Sequence, residues 1–224
     1  MERIKLGVIC GGMSTENEVS CVSAEAVMSN LDKNKYEIYP IFIDKDGKWY
    51  KIINIEKNKN FGTTINGKQL IENIVEYLKK LDVIFPVLHG LYGEDGTIQG
   101  LFELLKIPYV GCKVLASTVG MDKVYTKIVF EKAGIKQAKY VYVRKYQNKF
   151  VYIDDSFNEK IMTVEEVAQI SIEKLKFPMF VKPSNSGSSV GITKANSVDE
   201  LIKAINEAAK YDSNILIEQE IVGK

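Results

Sequence analysis

Hydrophobic and polar positions in the first half of the chain follow the pattern of strands that alternate with helices. Apolar segments predict three strands, at residues 3–10, 35–44 and 83–90, and the third is apolar throughout, as in a sheet buried on both faces. Apolar positions at helical spacing predict amphipathic helices, at residues 20–31, 71–81 and 99–106. A polar stretch at residues 56–68 predicts a surface loop. This order of elements is typical of a doubly wound parallel α/β sheet, in which ligands bind at the carboxyl ends of the strands.

Two local signals refine this first half. The helix at 20–31 places Val22, Ala26 and Leu31 on one apolar stripe, and Ser20 is its predicted N-cap. A DG dipeptide at 46–47 separates the second strand from the segment KWYKII. This spacing is typical of a β-hairpin, which we expect at this point of the sheet.

The pattern changes near residue 120, where we place the boundary between two domains, 1–120 and 121–224. Segments rich in Tyr, Phe and Val predict strands in the second half, at residues 138–143, 150–154, 177–183 and 214–221. A helix is predicted from Met121 to Gly134. Capping boxes mark two more helix starts, at Thr163 with Glu166 and at Ser197 with Glu200. The second half is therefore predicted to be an α+β domain with an antiparallel sheet.

Composition and charge narrow the class of protein. The 224 residues are 46% hydrophobic, enough for a sizeable core, and 30 basic against 29 acidic residues give a net charge of +1. That balance does not favour nucleic acid or an anionic membrane surface as a partner. The longest apolar runs are too short to span a bilayer and the first residues lack a signal-peptide pattern, so a cytoplasmic protein is predicted. Three cysteines without CxxC spacing (Cys10, Cys21 and Cys112) favour buried reduced thiols over a redox or metal role.

The first candidate for chemistry is the stretch FPMFVKPSNSGSSVGITK at residues 177–194. An apolar strand ends at Lys182, Pro183 turns the chain out of the strand, and a loop of small residues follows. A lysine at a strand end suits a phosphate, and consecutive backbone N–H groups on small residues suit an anion nest. The stretch matches neither the P-loop pattern nor the GxGxxG dinucleotide pattern. A phosphate clamp and a flexible hairpin loop beside a surface lysine both fit.

Four other residues are candidates for a site, and each also has a structural interpretation. Lys123 is either a second phosphate lysine or a solvated helix lysine, and Glu218 either faces an adenine edge or lies exposed on an edge strand. Glu16 is either a ligand contact or a first-turn acid favoured by the helix dipole. His89, the only histidine, is either structural or part of a site at the carboxyl edge of the sheet. Singly these signals do not decide between the interpretations, but their order along the chain does.

The order of these motifs resembles the D-alanine–D-alanine ligases of the ATP-grasp superfamily. Five stretches carry the resemblance, at residues 11–27, 85–111, 115–123, 177–194 and 215–223. The patterns HGxxGEDGxxQG and KPxxxGSSVG within them are highly specific. The resemblance implies an amino-terminal α/β domain of the pre-ATP-grasp type, followed by the ATP-grasp central subdomain. It also implies a reaction of peptidoglycan synthesis: ATP phosphorylates the carboxylate of one D-alanine, and the amine of a second D-alanine attacks the acyl phosphate.

The resemblance implies roles at the amino-acid site for three residues. Glu16 corresponds to the carboxylate that binds the ammonium group of the first D-alanine, and His89 corresponds to the histidine close to that substrate. Ser188 corresponds to a hydroxyl that, in this family, links Glu16 to a tyrosine further along the chain. We therefore expect Glu16 and Ser188 to be catalytic, and Glu16 and His89 to bind substrate.

The same resemblance assigns residues to an ATP site. Lys123 and Lys182 correspond to the two lysines that hold the ATP phosphates, and Ser189 contributes from the same loop. Three residues correspond to the strand that pairs with adenine, Glu218, Gln219 and Ile221. Lysines and Mg²⁺ must offset the repulsion between two anions before the acyl phosphate can form.

Family members continue well beyond the position of residue 224. The resemblance places the Mg²⁺ ligands in that later part, so we expect no metal ligand within 1–224 and no activity from this chain alone. A homodimer is expected by analogy. Three alternatives stay open: a D-alanine:D-serine ligase of the vancomycin-resistance type, another ATP-grasp carboxylate–amine ligase related to biotin carboxylase, and a non-catalytic nucleotide-binding fragment.

Overall fold

A computed structural model describes residues 2–52 and 67–223 of the chain. The chain divides into two compact units, Met1–Thr118 and Val119–Lys224. The surface loop predicted at 56–68 lies almost entirely outside the described residues. Within the described ranges, no helix combines the length and the apolar character that crossing a bilayer requires.

A mixed sheet forms the centre of the first unit. Its five strands are β1 (Ile4–Gly11), β2 (Tyr36–Ile43), β3 (Trp49–Ile52), β4 (Lys68–Leu70) and β5 (Val83–Pro86). Their order across the sheet is β4-β3-β2-β1-β5. β1 lies parallel to both β2 and β5, whereas β3 pairs antiparallel with β2 and with β4. The hairpin predicted at 46–47 is the connection between β2 and β3, so that prediction is confirmed.

Helices cover both faces of the parallel strands. They are α1 (Asn17–Asn30), α2 (Ile74–Leu78) and α3 (Thr97–Leu105), and α4 (Val114–Met121) contains the division between the units. On one face, Cys10 of β1 packs in a core cluster with Cys21 and Met28 of α1. On the opposite face, Ile9 of β1 packs with Phe102 of α3. Neighbouring residues of one strand thus enter two different cores, which confirms the predicted doubly wound sheet.

The orientation predicted for α1 is wrong. The helix begins before Ser20, and Val22 and Ala26 of the predicted apolar stripe are exposed. Ser20 instead lies on the buried face, where its hydroxyl accepts a hydrogen bond from the Gly11 N–H at 2.9 Å and donates one to the Val87 carbonyl at 2.5 Å. The buried face of this helix therefore combines Ser20, which joins two strand ends, with the apolar residues Cys21, Ala24 and Met28.

The second unit is built on an antiparallel sheet. Its strands are β6 (Tyr140–Tyr146), β7 (Lys149–Ile153), β8 (Glu159–Met162), β9 (Met179–Pro183), β10 (Thr193–Ala195) and β11 (Asn214–Gln219). Its helices are α5 (Lys123–Lys132), α6 (Val164–Lys174) and α7 (Val198–Ala208). The strand order is β10-β9-β11-β6-β7-β8, and every pair is antiparallel, as predicted. The short strands β8 and β10 were not predicted.

The two faces of this second sheet differ in character. The cross-strand pair Val181 and Ile217 lies in a core cluster that α6 and α7 cover. The residues that follow them, Lys182 and Glu218, point to the opposite face, on which α5 lies against β11. The sheet therefore has one apolar face and one face with charged side chains.

One of the two predicted capping boxes is complete. At the start of α6, Thr163 and Glu166 satisfy each other's backbone N–H groups. At the start of α7, the Ser197 side chain accepts from the Glu200 N–H, but the Glu200 carboxylate accepts from the N–H of Asn196 instead. The signal located both helix starts, although only the first box has both of its bonds.

Gly11→Ala should destabilise the protein, because Gly11 has a φ of +86° and an added methyl group would overlap the Ile43 carbonyl oxygen. We expect a loss of at least about 2 kcal/mol in the free energy of unfolding. The control is Gly100→Ala in α3, where an added Cβ meets nothing within 4 Å. That change should stabilise the protein by up to about 1 kcal/mol. Urea unfolding of both variants tests this, and equal effects would contradict it.

Candidate functional site

Two loops meet at the carboxyl ends of β1 and β5 in the first unit. The Ser14 hydroxyl donates to the His89 carbonyl at 2.7 Å and accepts from the Glu16 N–H at 3.2 Å. Ser14 itself is buried, so these bonds are shielded from water. The structure thus brings the predicted site residues Glu16 and His89 together through one serine.

The Glu16 carboxylate lies against the backbone of Gly90. A Cβ at residue 90 would stand 2.5 Å from Glu16 Oε2, and Gly90 has a φ of +70°. Glu16 is the N-cap residue of α1 but makes no side-chain capping bond, and the first-turn acid of the helix is Glu18. Glu16 therefore lies at the N-terminus of α1, where the helix dipole favours an acid, but it does not cap the helix with its side chain. Its carboxylate is placed beside the loop that carries His89.

The His89 ring lies at the edge of a pocket, next to polar side chains, and not in a hydrophobic core. Its Nε2 is 3.0 Å from Ser23 Oγ, its Nδ1 is 4.0 Å from Glu94 Oε1, and 31% of the side chain is exposed. Glu94 also accepts a hydrogen bond from the Gly90 N–H at 2.7 Å. An apolar cavity of about 200 Å³ adjoins the ring, lined by residues that include Met13, Trp49, Leu88, Ile98 and Leu101. A small ligand with a short apolar group fits such surroundings.

The second candidate region lies in the second unit, where the start of α5 meets the end of β9. Asp122 caps α5 by accepting from the N–H groups of Val124 and Tyr125. Ser184 donates its hydroxyl to Asp122 Oδ1 at 2.5 Å, and its carbonyl accepts from the Lys123 N–H at 3.0 Å. This cap explains why the helix predicted at 121–134 begins only at Lys123.

Lys123 points into this junction rather than into solvent. Its Nζ donates to the carbonyl of Ser186 at 2.6 Å and to that of Ser184 at 3.3 Å. Burial lowers the pKa of Lys123, and the nearby positive charge of Lys182 lowers it further. The interpretation as a solvated helix lysine is wrong, because the ammonium group is half-buried and bound to the candidate phosphate loop.

Lys182 and Glu218 form an ion pair on the charged face of the sheet. Lys182 Nζ lies 2.5 Å from Glu218 Oε2, and Lys127 Nζ lies 2.5 Å from Glu218 Oε1. Burial opposes ionisation of Glu218, but the hydrogen bonds from the two lysines outweigh it and hold the pKa of the carboxyl below its usual value. The Glu218 side chain is only 13% exposed and β11 lies between β9 and β6, so the interpretation as an exposed edge-strand glutamate is wrong.

The small-residue loop after β9 has an unusual backbone. Ser188 and Ser189 have φ values of 47° and 61°, in the left-handed region that few residues other than glycine adopt. Gly191 also has a positive φ and lies where a Cβ would collide with Tyr211 and Pro183. Left-handed residues in a short loop are the geometry of anion-binding nests. Together with Lys123, this loop suits a polyphosphate.

Two predicted ATP-site residues are placed differently from Glu218. The Gln219 side chain points to the face of the sheet opposite Glu218, since neighbouring residues of a strand alternate. Its backbone N–H donates to the Lys139 carbonyl at 3.0 Å. Ile221 lies beyond the end of β11 and its side chain is 67% exposed. A contact between Gln219 and a base on the charged face would therefore be through its backbone.

Sequence reasoning missed the residues that support these candidates. Lys127 was not singled out, although it follows Lys123 by one helical turn and therefore shares its face. Ser184 and Asp122 were also missed, and nothing in the local pattern marks their contact across the sequence. Among the cysteines, Cys10 and Cys21 are buried as predicted, but Cys112 is exposed. In the described ranges, no group of three His, Cys, Asp or Glu could hold a metal ion.

Family models match both halves of the chain. The model described as D-ala D-ala ligase N-terminus matches residues 5–112, and the one described as D-ala D-ala ligase C-terminus matches residues 128–224. D-alanine--D-alanine ligase B of Clostridium tetani is 46% identical over 224 residues, an alignment that covers 99% of this chain and 59% of that protein. The chain spans about 60% of the length of the curated relatives it matches.

Solved structures of ligases are similar over nearly the whole chain. The VanG D-Ala:D-Ser ligase from Enterococcus faecalis matches with a TM-score of 0.82 and 38% sequence identity. The match covers 99% of this chain and 64% of the VanG chain. A D-alanine--D-alanine ligase from Bacillus anthracis, complexed with ATP, matches with a TM-score of 0.69 and 32% sequence identity. That match covers 98% of this chain and 60% of the Bacillus anthracis chain. The fold of both units is thus that of these enzymes.

Glu218→Gln should destabilise the protein in a pH-dependent way. Since the folded pKa of Glu218 lies below its usual value, its ion pairs stabilise the fold at pH values above that usual value and are lost as the pH falls through the lower folded pKa. We expect a cost of about 2 kcal/mol at pH 7 and a smaller cost at pH 3. Urea unfolding at both pH values measures it.

The matched control is Glu207→Gln, whose carboxylate pairs with Lys210 at the same distance of 2.5 Å but is 42% exposed. This exposed pair should contribute less than about 0.5 kcal/mol at either pH. A Glu218 variant that behaves like the Glu207 variant would show that the buried pairs do not stabilise the fold.

Proposed function

Since this chain belongs to the D-alanine–D-alanine ligase family, we propose that it forms the amino-acid half and part of the ATP half of an ATP-dependent ligase. The reaction we propose joins two D-alanines through an acyl phosphate, for peptidoglycan precursor synthesis. The observation that carries the proposal is that Lys123, distant in sequence, bonds to the loop that follows Lys182 and contains the left-handed residues Ser188 and Ser189.

In the ATP half, we assign the phosphates to Lys123, Lys182 and Ser189. Burial lowers the pKa of Lys123, and repulsion by the positive charge of Lys182 lowers it further. A polyphosphate between them would remove that repulsion and offset the charge that develops during transfer. The base would lie near Glu218, with Gln219 and Ile221 contributing backbone groups. ATP, when bound, supplies the phosphoryl group that activates the carboxylate.

In the amino-acid half, we assign the ammonium group of the first substrate to Glu16. A carboxylate held beside Gly90 by the buried Ser14 is well placed to accept hydrogen bonds from an ammonium group. His89 adjoins the same loop, and the apolar cavity beside it suits a methyl side chain. Ser188 is our second candidate for a catalytic residue. We propose that residues 1–120 act as the substrate-binding domain and 121–224 as the ATP-grasp central subdomain.

Three further assignments belong to the same proposal. Mg²⁺ would accompany ATP, but the described ranges hold no cluster of three His, Cys, Asp or Glu for it, so we assign it no step here. A cytoplasmic location follows from the proposed substrates. A homodimer is proposed by analogy with the family.

A D-alanine:D-serine ligase is the second candidate function. The observation that favours it is the likeness to the VanG D-Ala:D-Ser ligase, with a TM-score of 0.82. The curated relatives that match this chain with 43% to 47% identity are nevertheless named D-alanine--D-alanine ligases. Turnover of the intact protein with D-alanine alone, and with D-alanine plus D-serine, separates the two functions.

The intact protein should release ADP from ATP only when D-alanine is present. Lys123→Met and Lys182→Met should each lower kcat/KM by about 100-fold or more, because each removes a preorganised positive charge from the phosphates. The control is Lys203→Met on the exposed surface of α7, which should leave the rate unchanged. ATP binding without release of ADP in the presence of either amino acid would instead favour a non-catalytic nucleotide-binding protein.

Glu16→Gln should raise the KM for D-alanine at the first site by about 10-fold or more. A neutral amide accepts a weaker hydrogen bond from an ammonium group than a carboxylate does. The KM for ATP should stay within about twofold, since Glu16 is assigned to the amino acid alone. Steady-state kinetics with each substrate varied in turn makes this measurement. An increase in the KM for ATP alone would contradict the assignment.

A further inference from the structure

Lys127 is a buried lysine to which the proposed function gives no role. Its side chain is only 11% exposed, and its Nζ lies 2.5 Å from Glu218 Oε1. The same Nζ donates to the Ala138 carbonyl at 3.2 Å and lies 5.1 Å from the centre of the Tyr140 ring. Three different groups therefore hold this ammonium group in one place.

Lys182, the other partner of Glu218, is held less firmly. Its side chain is 25% exposed, and besides Glu218 Oε2 it has the ring of Phe180, whose centre is 5.8 Å away. The positive charge of Lys182 also disfavours the charged form of Lys123. Of the two lysines on Glu218, Lys182 is the one that can leave at lower cost.

The consequence for a phosphate ligand follows from charge. If Lys182 were the sole partner of Glu218, its movement to a phosphate would leave a buried carboxylate without a cation, which is strongly unfavourable. With Lys127 in place, the carboxylate keeps one short ion pair after Lys182 has moved. Its second oxygen, Oε2, is then open to another donor.

We propose that Lys127 is a positioning residue for nucleotide binding, which keeps Glu218 ionised and fixed through Oε1 so that Lys182 can exchange Oε2 for a phosphate oxygen. This inference rests on the proposed function, because it takes the ligand to be ATP. The vacated Oε2 then accepts from the amino group of the base. Lys127 acts through Glu218 and does not touch the nucleotide.

The experiment compares the affinities of ATP and adenosine for the intact protein by isothermal titration. Their ratio measures what the phosphates contribute. In the Lys127→Met variant, Lys182 should remain paired with Glu218 and should not reach the phosphates. The ratio of ATP affinity to adenosine affinity should therefore fall at least about tenfold. Lys127→Arg keeps the charge and should restore the ratio. The control Lys132→Met, on the exposed end of the same helix, should leave the ratio unchanged.

A second comparison separates positioning from a merely structural role. In a Glu218→Gln background no buried carboxylate needs a cation, so adding Lys127→Met should not change the ratio further. The comparison of Glu218→Gln with the double variant also tests the proposal if the Lys127→Met variant alone does not fold. An unchanged ratio in Lys127→Met, or an equal loss in the Glu218→Gln background, would overturn the proposal while leaving ATP binding intact. A wild-type protein that binds neither ligand would overturn the proposed function itself.

Discussion

One carboxylate shared by two lysines organises the charged face of the second unit. Glu218 belongs to a strand inside the sheet, Lys182 to the neighbouring strand and Lys127 to the helix that lies on this face. An ionised carboxylate so far from water requires partners, and two contacts of 2.5 Å provide them. The same contacts join α5 to the sheet. Since two cations meet one anion, the face keeps an excess of positive charge.

A constraint of space governs the first unit in the same way. The Glu16 carboxylate can lie beside the His89 loop only because residue 90 has no side chain. Ser14 fixes the two loops to each other, and Ser20 ties the helix behind them to the ends of β1 and β5. Small residues at strand ends therefore do two things here. They shape the backbone, and they leave room for the acidic group that the proposed substrate needs.

The order of strands and helices predicted the class of the first sheet, and segments rich in Tyr, Phe and Val predicted the class of the second. Apolar spacing failed for α1, where Cys21, Ala24 and Met28 form the buried stripe beside Ser20, and Val22 and Ala26 are exposed. Motif order singled out Lys123, Lys182 and Glu218 as candidates, but it did not predict the contacts that hold their side chains. The short bond from Ser184 to Asp122 and the ion pair of Lys127 join residues far apart in the sequence. Such contacts depend on the folded chain, and no local pattern encodes them.

The balance of charge at the start of α5 supports the proposal that these residues bind an anion rather than a neutral ligand. Burial and Lys182 disfavour the charged form of Lys123, while the negative charges of Asp122 and Asp212 support it. The carbonyls of Ser184 and Ser186 bind its ammonium group but carry no full charge to balance it. The folded chain thus holds Lys123 and Lys182 close together at an electrostatic cost. An anion bound between them would recover that cost as affinity, whereas a neutral ligand would recover none of it.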